Sequence, residues 1–292
     1  AYMAVLTYFK PKRLFQGDCY NGCRMAAQLF SRISGMALYP LADIEELCEP
    51  GDMIHIEDPI NPYGEAVDLL ERSSAIHKAG GLMLLDTTFA PPPLRNPWNF
   101  GVDIIMHSGT KYFGGHSDLL SGILSVKSEK IAHGLRDDRT ILGTIPASLE
   151  SFLLLRSLRT MDIRIKRQSN NCTKIVSYLM DHLSDYSSVL KSVHHASLQT
   201  EDFVAKQLPN GYGPVFSIVL KNKNQCPKLV KNLQLFQHAT SLGGVESLVE
   251  WRALSDPHVE QALIRVSVGL EDVDDLIKDL AGILKRIHDK QL

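Results

Sequence analysis

The sequence predicts an α/β fold, with a mostly parallel sheet in a large N-terminal domain and a smaller α+β domain after it. Two observations carry this. Short runs that are apolar at every position alternate with amphipathic helical stretches through the first half, and the texture changes to Leu- and Arg-rich after Pro146. Strands covered on both faces read as continuous apolar runs, the mark of a parallel sheet between helices. In chain order, 14–17 reads as a short strand and 23–33 as an amphipathic helix. The next strand is expected at 53–56, and the next helix over 65–79, stopped by Gly80 and Gly81. The runs 82–85 and 104–106 are strands of the buried kind. Residues 149–183 suit one long helix or a broken pair. Strands at 215–220 and 263–268 and a helix over 272–287 close the chain. The domain boundary is placed between 1–148 and 149–292.

The 292 residues, 44% hydrophobic and 22% charged, are enough for a large core and have the balance of an ordinary globular protein. A net charge of −2 with no basic stripe gives no electrostatic support for a nucleic-acid or anionic-membrane partner. No apolar run reaches the roughly 18 residues of a membrane span. A cytoplasmic enzyme is the expectation. The five cysteines, Cys19, Cys23, Cys48, Cys172 and Cys226, are odd in number and form no paired C-x-x-C sites, which points to reduced thiols.

The most informative segment is 107–117. Lys111 follows the apolar run 102–106 and stands among Ser108, Thr110 and the turn Gly114, Gly115. At the end of a buried strand a lysine is desolvated, its pKa falls, and the neutral amine can form a Schiff base with a carbonyl. Ser108 and Thr110 offer hydroxyl donors to a phosphate. Asp86, followed by Thr87 and Thr88, ends another apolar strand; a carboxylate there needs a cation, and a pyridinium nitrogen would serve. A cap or metal ligand is the ordinary reading of such an aspartate. Asn61 follows a strand and could donate to a phenolic oxygen, although Asn-Pro is also a common turn. Tyr20, at a strand-to-helix junction, could stack on a ring or simply pack. Arg265 lies in a strand pattern and requires an anion, either a substrate carboxylate or a structural ion pair. His107 and His116 flank Lys111, but no carboxylate or third histidine is placed to complete a metal site, so both read as structural.

Residues 103–117 resemble the lysine signature of the cysteine and methionine metabolism family of pyridoxal-phosphate enzymes, the cystathionine synthases and lyases. The resemblance extends to Tyr20, Asn21 and Gly22, to 57–62, 86–89, 241–248 and 263–272, in the family's order. The texture of 89–94, 197–199, 204–207, 213–216 and 250–253 is most similar to fungal cystathionine γ-synthase-like proteins. The resemblance implies a fold-type I pyridoxal-phosphate transferase, aspartate-aminotransferase-like, with pyridoxal 5′-phosphate as cofactor.

By the same resemblance, Lys111 is the Schiff-base lysine, Asp86 faces the pyridine nitrogen and Tyr20 stacks on the ring. Ser108, Thr110 and Thr88 line the cofactor, Asn61 meets the phenolic oxygen, and Arg265 holds the substrate carboxylate with Ser241 and Thr240 beside it. Several relatives carry a glutamate where Thr240 stands. The implied reaction is γ-replacement on an O-activated homoserine by a thiol or other nucleophile. γ-Elimination, in the manner of cystathionine or methionine γ-lyases, and a catalytically silent, cofactor-free relative are the alternatives. The family also implies amino-acid substrates and a homodimer or homotetramer. It further implies an N-terminal part, upstream of Ala1, with a phosphate-binding turn and a Tyr-x-Arg pair that reaches a neighbouring subunit.

Overall fold

A sheet buried on both faces needs two sets of apolar side chains, and alternation along each strand supplies them. The computed structural model describes residues 1–292. Its first half runs α1 (Tyr2–Phe9), β1 (Arg13–Gln16), α2 (Asn21–Ser34), β2 (Ala37–Tyr39), α3 (Ile44–Leu47), β3 (Met53–Glu57) and α4 (Leu69–Lys78). It continues with β4 (Leu82–Asp86), β5 (Ile104–Ser108), β6 (Gly122–Val126) and α5 (Glu129–Leu142). The strands form one sheet in the order β2-β1-β3-β4-β5-β6, parallel throughout except for β6 at the edge. Leu14, Met53 and Leu84 pack with Val5, Leu6, Ala27 and Phe30 of α1 and α2 on one face. Their neighbours Phe15, Ile54 and Leu85 pack with Leu69 and Ile76 of α4 on the other. Parallel strands all end at one edge, so residues just after β1, β3, β4 and β5 converge there.

The second half runs α6 (Ser148–Leu158), α7 (Met161–Asp181), β7 (Leu190–His194), α8 (Asp202–Gln207), β8 (Val215–Leu220) and α9 (Cys226–Asn232). Then follow β9 (Gln237–His238), β10 (Leu248–Trp251), β11 (Leu263–Ser267) and α10 (Val273–His288). Its sheet has the order β7-β8-β11-β10-β9, antiparallel apart from the short β9–β10 pair. Ile175, Val176 and Leu179 of α7 and Leu276, Leu280 and Leu284 of α10 share one core with Phe216, Ile218, Ile264 and Val266 of the sheet. No helix is long and apolar enough to cross a membrane. All five cysteines are free thiols.

One expected element differs in extent, and a second takes one of its two expected forms. The helix expected from 65 begins at Leu69, because the Asp68 carboxylate caps it by accepting from the Leu70 and Glu71 N–H groups at 2.9 and 3.0 Å. The stretch 149–183 is a broken pair, since Thr160 leaves helical geometry at the junction of α6 and α7 and its hydroxyl turns back to the Ser157 carbonyl at 3.2 Å.

The segment between β3 and α4 is tied to the second half by side chains that imitate backbone. Gln199 accepts from the Ala66 N–H at 2.6 Å and donates to the Ala66 carbonyl at 2.9 Å. Gln207 does the same with the Leu69 N–H and the Val67 carbonyl. Ser217 of β8 donates to the Pro62 carbonyl at 2.7 Å. Beneath this segment, Arg95 and Asp58 form a fully buried ion pair, and Arg95 Nε also donates to Thr87 Oγ1 at 2.9 Å. Removing one member of such a pair leaves an uncompensated buried charge. Arg95→Met is expected to lower the free energy of unfolding by about 3–5 kcal/mol, read by urea denaturation. Arg95→Met with Asp58→Leu should recover part of that loss.

Candidate active site

Immediately after β5 the chain makes one wide π-helical turn over Gly109–Phe113. Within it Lys111 departs from helical geometry, with φ −86° and ψ −116°. The turn is closed by the Gly114 N–H to the Gly109 carbonyl at 2.8 Å and the Gly115 N–H to the Lys111 carbonyl at 2.6 Å. Lys111 Nζ donates to Ser241 Oγ at 3.0 Å, across from the loop between β9 and β10. That loop comes so close because Gly243 has φ +79° and no side chain; a Cβ there would stand 3.1 Å from Lys111. Burial lowers the Lys111 pKa, the Arg265 charge lowers it further, and Glu250 partly opposes them. The amine therefore has the reduced proton affinity that nucleophilic attack needs.

Asp86 ends β4 directly opposite Glu57 at the end of β3. Thr88 satisfies Asp86 Oδ1 twice, from its N–H at 3.0 Å and its hydroxyl at 2.6 Å, and Oδ2 receives no protein donor. Burial raises the Asp86 pKa against the pull of those two bonds. Burial, with the Asp86 charge beside it, pushes Glu57 up to about 8. Glu57 Oε2 accepts from the Tyr20 N–H at 2.6 Å and Oε1 from the Asn61 N–H at 3.0 Å. It thereby anchors two of the expected site residues by their backbones.

Arg265 lies in the middle of β11, 3% exposed, and its anion is Glu250, the residue paired with it on β10, at 2.5 Å. The structural ion pair is thus present. Nη1 also donates to Asn61 Oδ1 at 3.1 Å, and Nη2 to the Thr240 and Ser241 carbonyls at 2.6 and 2.9 Å. Asn61 therefore keeps its amide hydrogens free to donate elsewhere. Thr240 is exposed and Ser241 half-buried. Tyr20 caps α2 with its ring 59% exposed, folded over Gly22, where a Cβ would meet the ring at 2.4 Å. The Ser108 N–H donates to Thr88 Oγ1 at 2.9 Å. The Thr110 hydroxyl is engaged with the Ser121 backbone, accepting from its N–H at 3.1 Å. His107 is buried against Phe113, and His116 bonds to the Gly114 carbonyl at 2.8 Å and Ser157 Oγ at 3.1 Å; neither histidine points to a partner ligand set.

Several residues at the site escape the sequence reading. Glu57 stands at the end of an apolar strand, the same signal that marks Asp86, and could have been found by it. Glu250 would have followed from asking which strand pairs with Arg265. Arg164 gave no signal, because an arginine in a Leu- and Arg-rich helix reads as a solvated face. It is buried, donating to the Tyr112 carbonyl at 3.1 Å and to the Ser157 carbonyl and hydroxyl, each at 3.1 Å. Its guanidinium fills the space above Gly115, where a Cβ would stand 1.9 Å from it, and so braces the turn that carries Lys111.

A family model described as Cys/Met metabolism PLP-dependent enzyme matches residues 12–285. Cystathionine γ-lyase of Dictyostelium discoideum is 31% identical over 92% of this chain and 73% of its own length. Cystathionine γ-synthase of Escherichia coli K12 is 30% identical over 96% of this chain and 77% of its own. Among solved structures, apo CalE6, a methionine γ-lyase from Micromonospora echinospora, superposes with a TM-score of 0.85 at 31% identity, covering 97% of this chain and 77% of that one. A cystathionine γ-synthase from Xanthomonas oryzae, in complex with aminoacrylate and cysteine, gives 0.85 at 27% identity over 100% and 81%. The chain belongs to the Cys/Met metabolism PLP-dependent enzyme family, with its fold-type I architecture, and its cofactor is pyridoxal 5′-phosphate. The residues fit that group: a desolvated amine, and a buried carboxylate with one oxygen left to accept from a ring nitrogen.

Because the folded-state pKa of Glu57 is raised, the native chain holds its proton more tightly than the unfolded chain. This contribution to stability is full below the unfolded pKa near 4.5 and is lost as pH rises through about 8. Glu57→Gln should flatten the decline of the thermal midpoint across that window, read by unfolding scans of the cofactor-free protein. A decline as steep as in the unsubstituted chain would assign it to another group.

Proposed function

We propose that this chain catalyses γ-replacement on an O-activated homoserine, with a thiol as the incoming nucleophile. The observation that carries the reading is Lys111, a half-buried amine of lowered proton affinity, 3.0 Å from Ser241 Oγ and on the same edge as Asp86. Lys111 would hold the cofactor through Nζ, Asp86 its pyridine nitrogen through Oδ2, and Asn61 its phenolic oxygen through the free amide. Ser108 and Thr110 would face the phosphate, Thr88 would line the cofactor, and Tyr20 would cover the ring. Residues 1–148 thus carry the cofactor and 149–292 the substrate-facing loop.

Bound pyridoxal phosphate supplies an electron sink for charge that develops at Cα. Arg265, already fixed between Asn61 and the 240–241 backbone, would orient the substrate carboxylate within the site. Lys111 Nζ, once free, would take the Cα proton, hand it on to the electron sink, and so be free again to take a Cβ proton. The O-linked group would leave Cγ with its bonding pair, the thiol sulfur would add there as its proton goes to the departing oxygen, and Lys111 would return protons to Cβ and Cα. Ser241 holds Nζ near these atoms between transfers. Relatives named as a synthase and as a lyase share 30 and 31% identity with this chain, and the proposed reading takes the substrate pocket, not this machinery, as what separates the two outcomes.

We also read the chain as a homo-oligomer. Leu149, Phe152 and Leu155 lie three apart on α6, all more than 60% exposed, an apolar helix face that a second copy would cover.

Lys111→Ala should abolish both turnover and the visible absorption gained on adding pyridoxal phosphate; an unchanged spectrum would remove Lys111 from the role. With an O-activated homoserine, thioether product should require added thiol, and keto acid formed equally without thiol would favour γ-elimination. Phe152→Ser with Leu155→Ser should lower the sedimentation coefficient to that of a monomer, an outcome contradicted by a wild-type chain that already sediments as one.

A further inference from the structure

The mechanism above leaves His55 without a task. The residue sits on β3, 1% exposed, beneath the edge where Asp86 ends β4. Its Nδ1 lies 2.7 Å from Gln16 Nε2 and 3.4 Å from Tyr2 Oη, and Gln16 Nε2 in turn donates to Tyr2 Oη at 3.1 Å. An amide nitrogen only donates, so Nδ1 is the acceptor and the proton of the neutral ring belongs on Nε2. Burial keeps the ring neutral, with its pKa down to about 3. Nε2 is buried and has no hydrogen-bond partner. A buried N–H left unpaired is costly, so a polar group has to answer it. One ring nitrogen of His55, a carboxylate oxygen of Asp86 and Sγ of Cys23 lie within 4.8 Å of one another. Asp86 Oδ1 already takes two bonds from Thr88, whereas Oδ2 takes none from the protein.

We propose that His55 is a positioning residue for Asp86: its Nε2–H, fixed by the Tyr2 and Gln16 side chains, donates to the carboxylate and holds it ionised toward the cofactor's ring nitrogen. The inference rests on the cofactor reading above. Cys23 joins the group as a thiol, because burial and the neighbouring Asp86 charge drive its pKa up. The other titratable groups facing this point are Tyr2 of α1, Cys19, Glu57 of β3 and, through Cys23, the Ala1 amine. Burial raises Tyr2, Cys19 and Glu57, so each of these groups holds its proton more tightly than it would in water.

Two measurements test this. In the cofactor-free chain, 15N spectra of the histidine rings should show His55 protonated at Nε2 and bare at Nδ1 from about pH 6 to about pH 8; the opposite tautomer would overturn the proposal, whether or not cofactor binds. In the second, pyridoxal phosphate affinity is read by fluorescence titration as a ratio of variant to wild type. His55→Leu should weaken binding about tenfold, more at the acid end, where an unsupported Asp86 takes up a proton. His55→Gln, which keeps a donor, should stay within about threefold. A loss equal at every pH, or His55→Gln as weak as His55→Leu, would assign the ring to packing and overturn the role. A wild-type chain that bound no pyridoxal phosphate would instead sink the functional reading, leaving the tautomer result to judge His55 on its own.

Discussion

Two carboxylates buried side by side at the end of a parallel sheet set the terms for the rest of this structure. Glu57 and Asp86 are register partners on β3 and β4, and neither meets a lysine or arginine directly. Charge is costly to bury, so each must be answered by hydrogen bonds, and the groups that answer are the ones a cofactor would meet. Glu57 takes the N–H groups of Tyr20 and Asn61. Asp86 takes both donors of Thr88, whose hydroxyl oxygen accepts from Ser108, the last residue before the turn of Lys111. Electrostatic need and site geometry are one network here, spread over the ends of β1, β3, β4 and β5.

The second half completes that network from the other side. Asn61, anchored by Glu57, also accepts from Arg265, which reaches Glu250 and the carbonyls of Thr240 and Ser241. Glu250 is further held by Arg252 at 3.1 Å and Ser255 at 2.6 Å. Arg265 thus carries a positive charge in a buried place only because β10 provides the compensating anion. The same guanidinium depresses the Lys111 pKa, which links the second sheet to the amine on the first. The glutamine bridges at Ala66 and Val67 hold the two halves in the alignment this requires.

Much of this was legible in the sequence, for identifiable reasons. Continuous apolar runs marked β3, β4, β5, β8 and β11, and α2 and α10 showed their periodicity, because burial on two faces or one stripe leaves a direct trace in residue type. Lys111 and Asp86 stood out as charged residues closing apolar runs. The edge strand β6, the short β2 and β9, and helix α5 left weaker traces, since edges and exposed helices tolerate mixed composition. Pairings between distant segments were not legible. Nothing near Arg164 announces that it braces the Lys111 turn, and nothing near Gln199 or Gln207 announces the backbone they imitate. The start of α4 depended on one cap, Asp68, that an amphipathic pattern does not reveal.

The buried and the exposed residues of the site carry different burdens. Asp86, Glu57, Arg265 and the turn of Lys111 are held by hydrogen bonds from the surrounding elements, with Asp86 Oδ2 left open toward the cofactor. Thr240 and the ring of Tyr20 face solvent, and on the proposed reading an incoming group would meet their side chains. On the same reading, changes there would alter what enters at Cγ while leaving the carboxylate network in place. A glutamate in place of Thr240 would set a fixed negative charge near Arg265, which bonds the Thr240 carbonyl, whereas threonine offers only a neutral hydroxyl. On the proposed reading, that difference acts on the choice of nucleophile through charge at the rim. It leaves the proton transfers of Lys111 unchanged, because Ser241, the neighbouring residue, keeps its contact with Nζ.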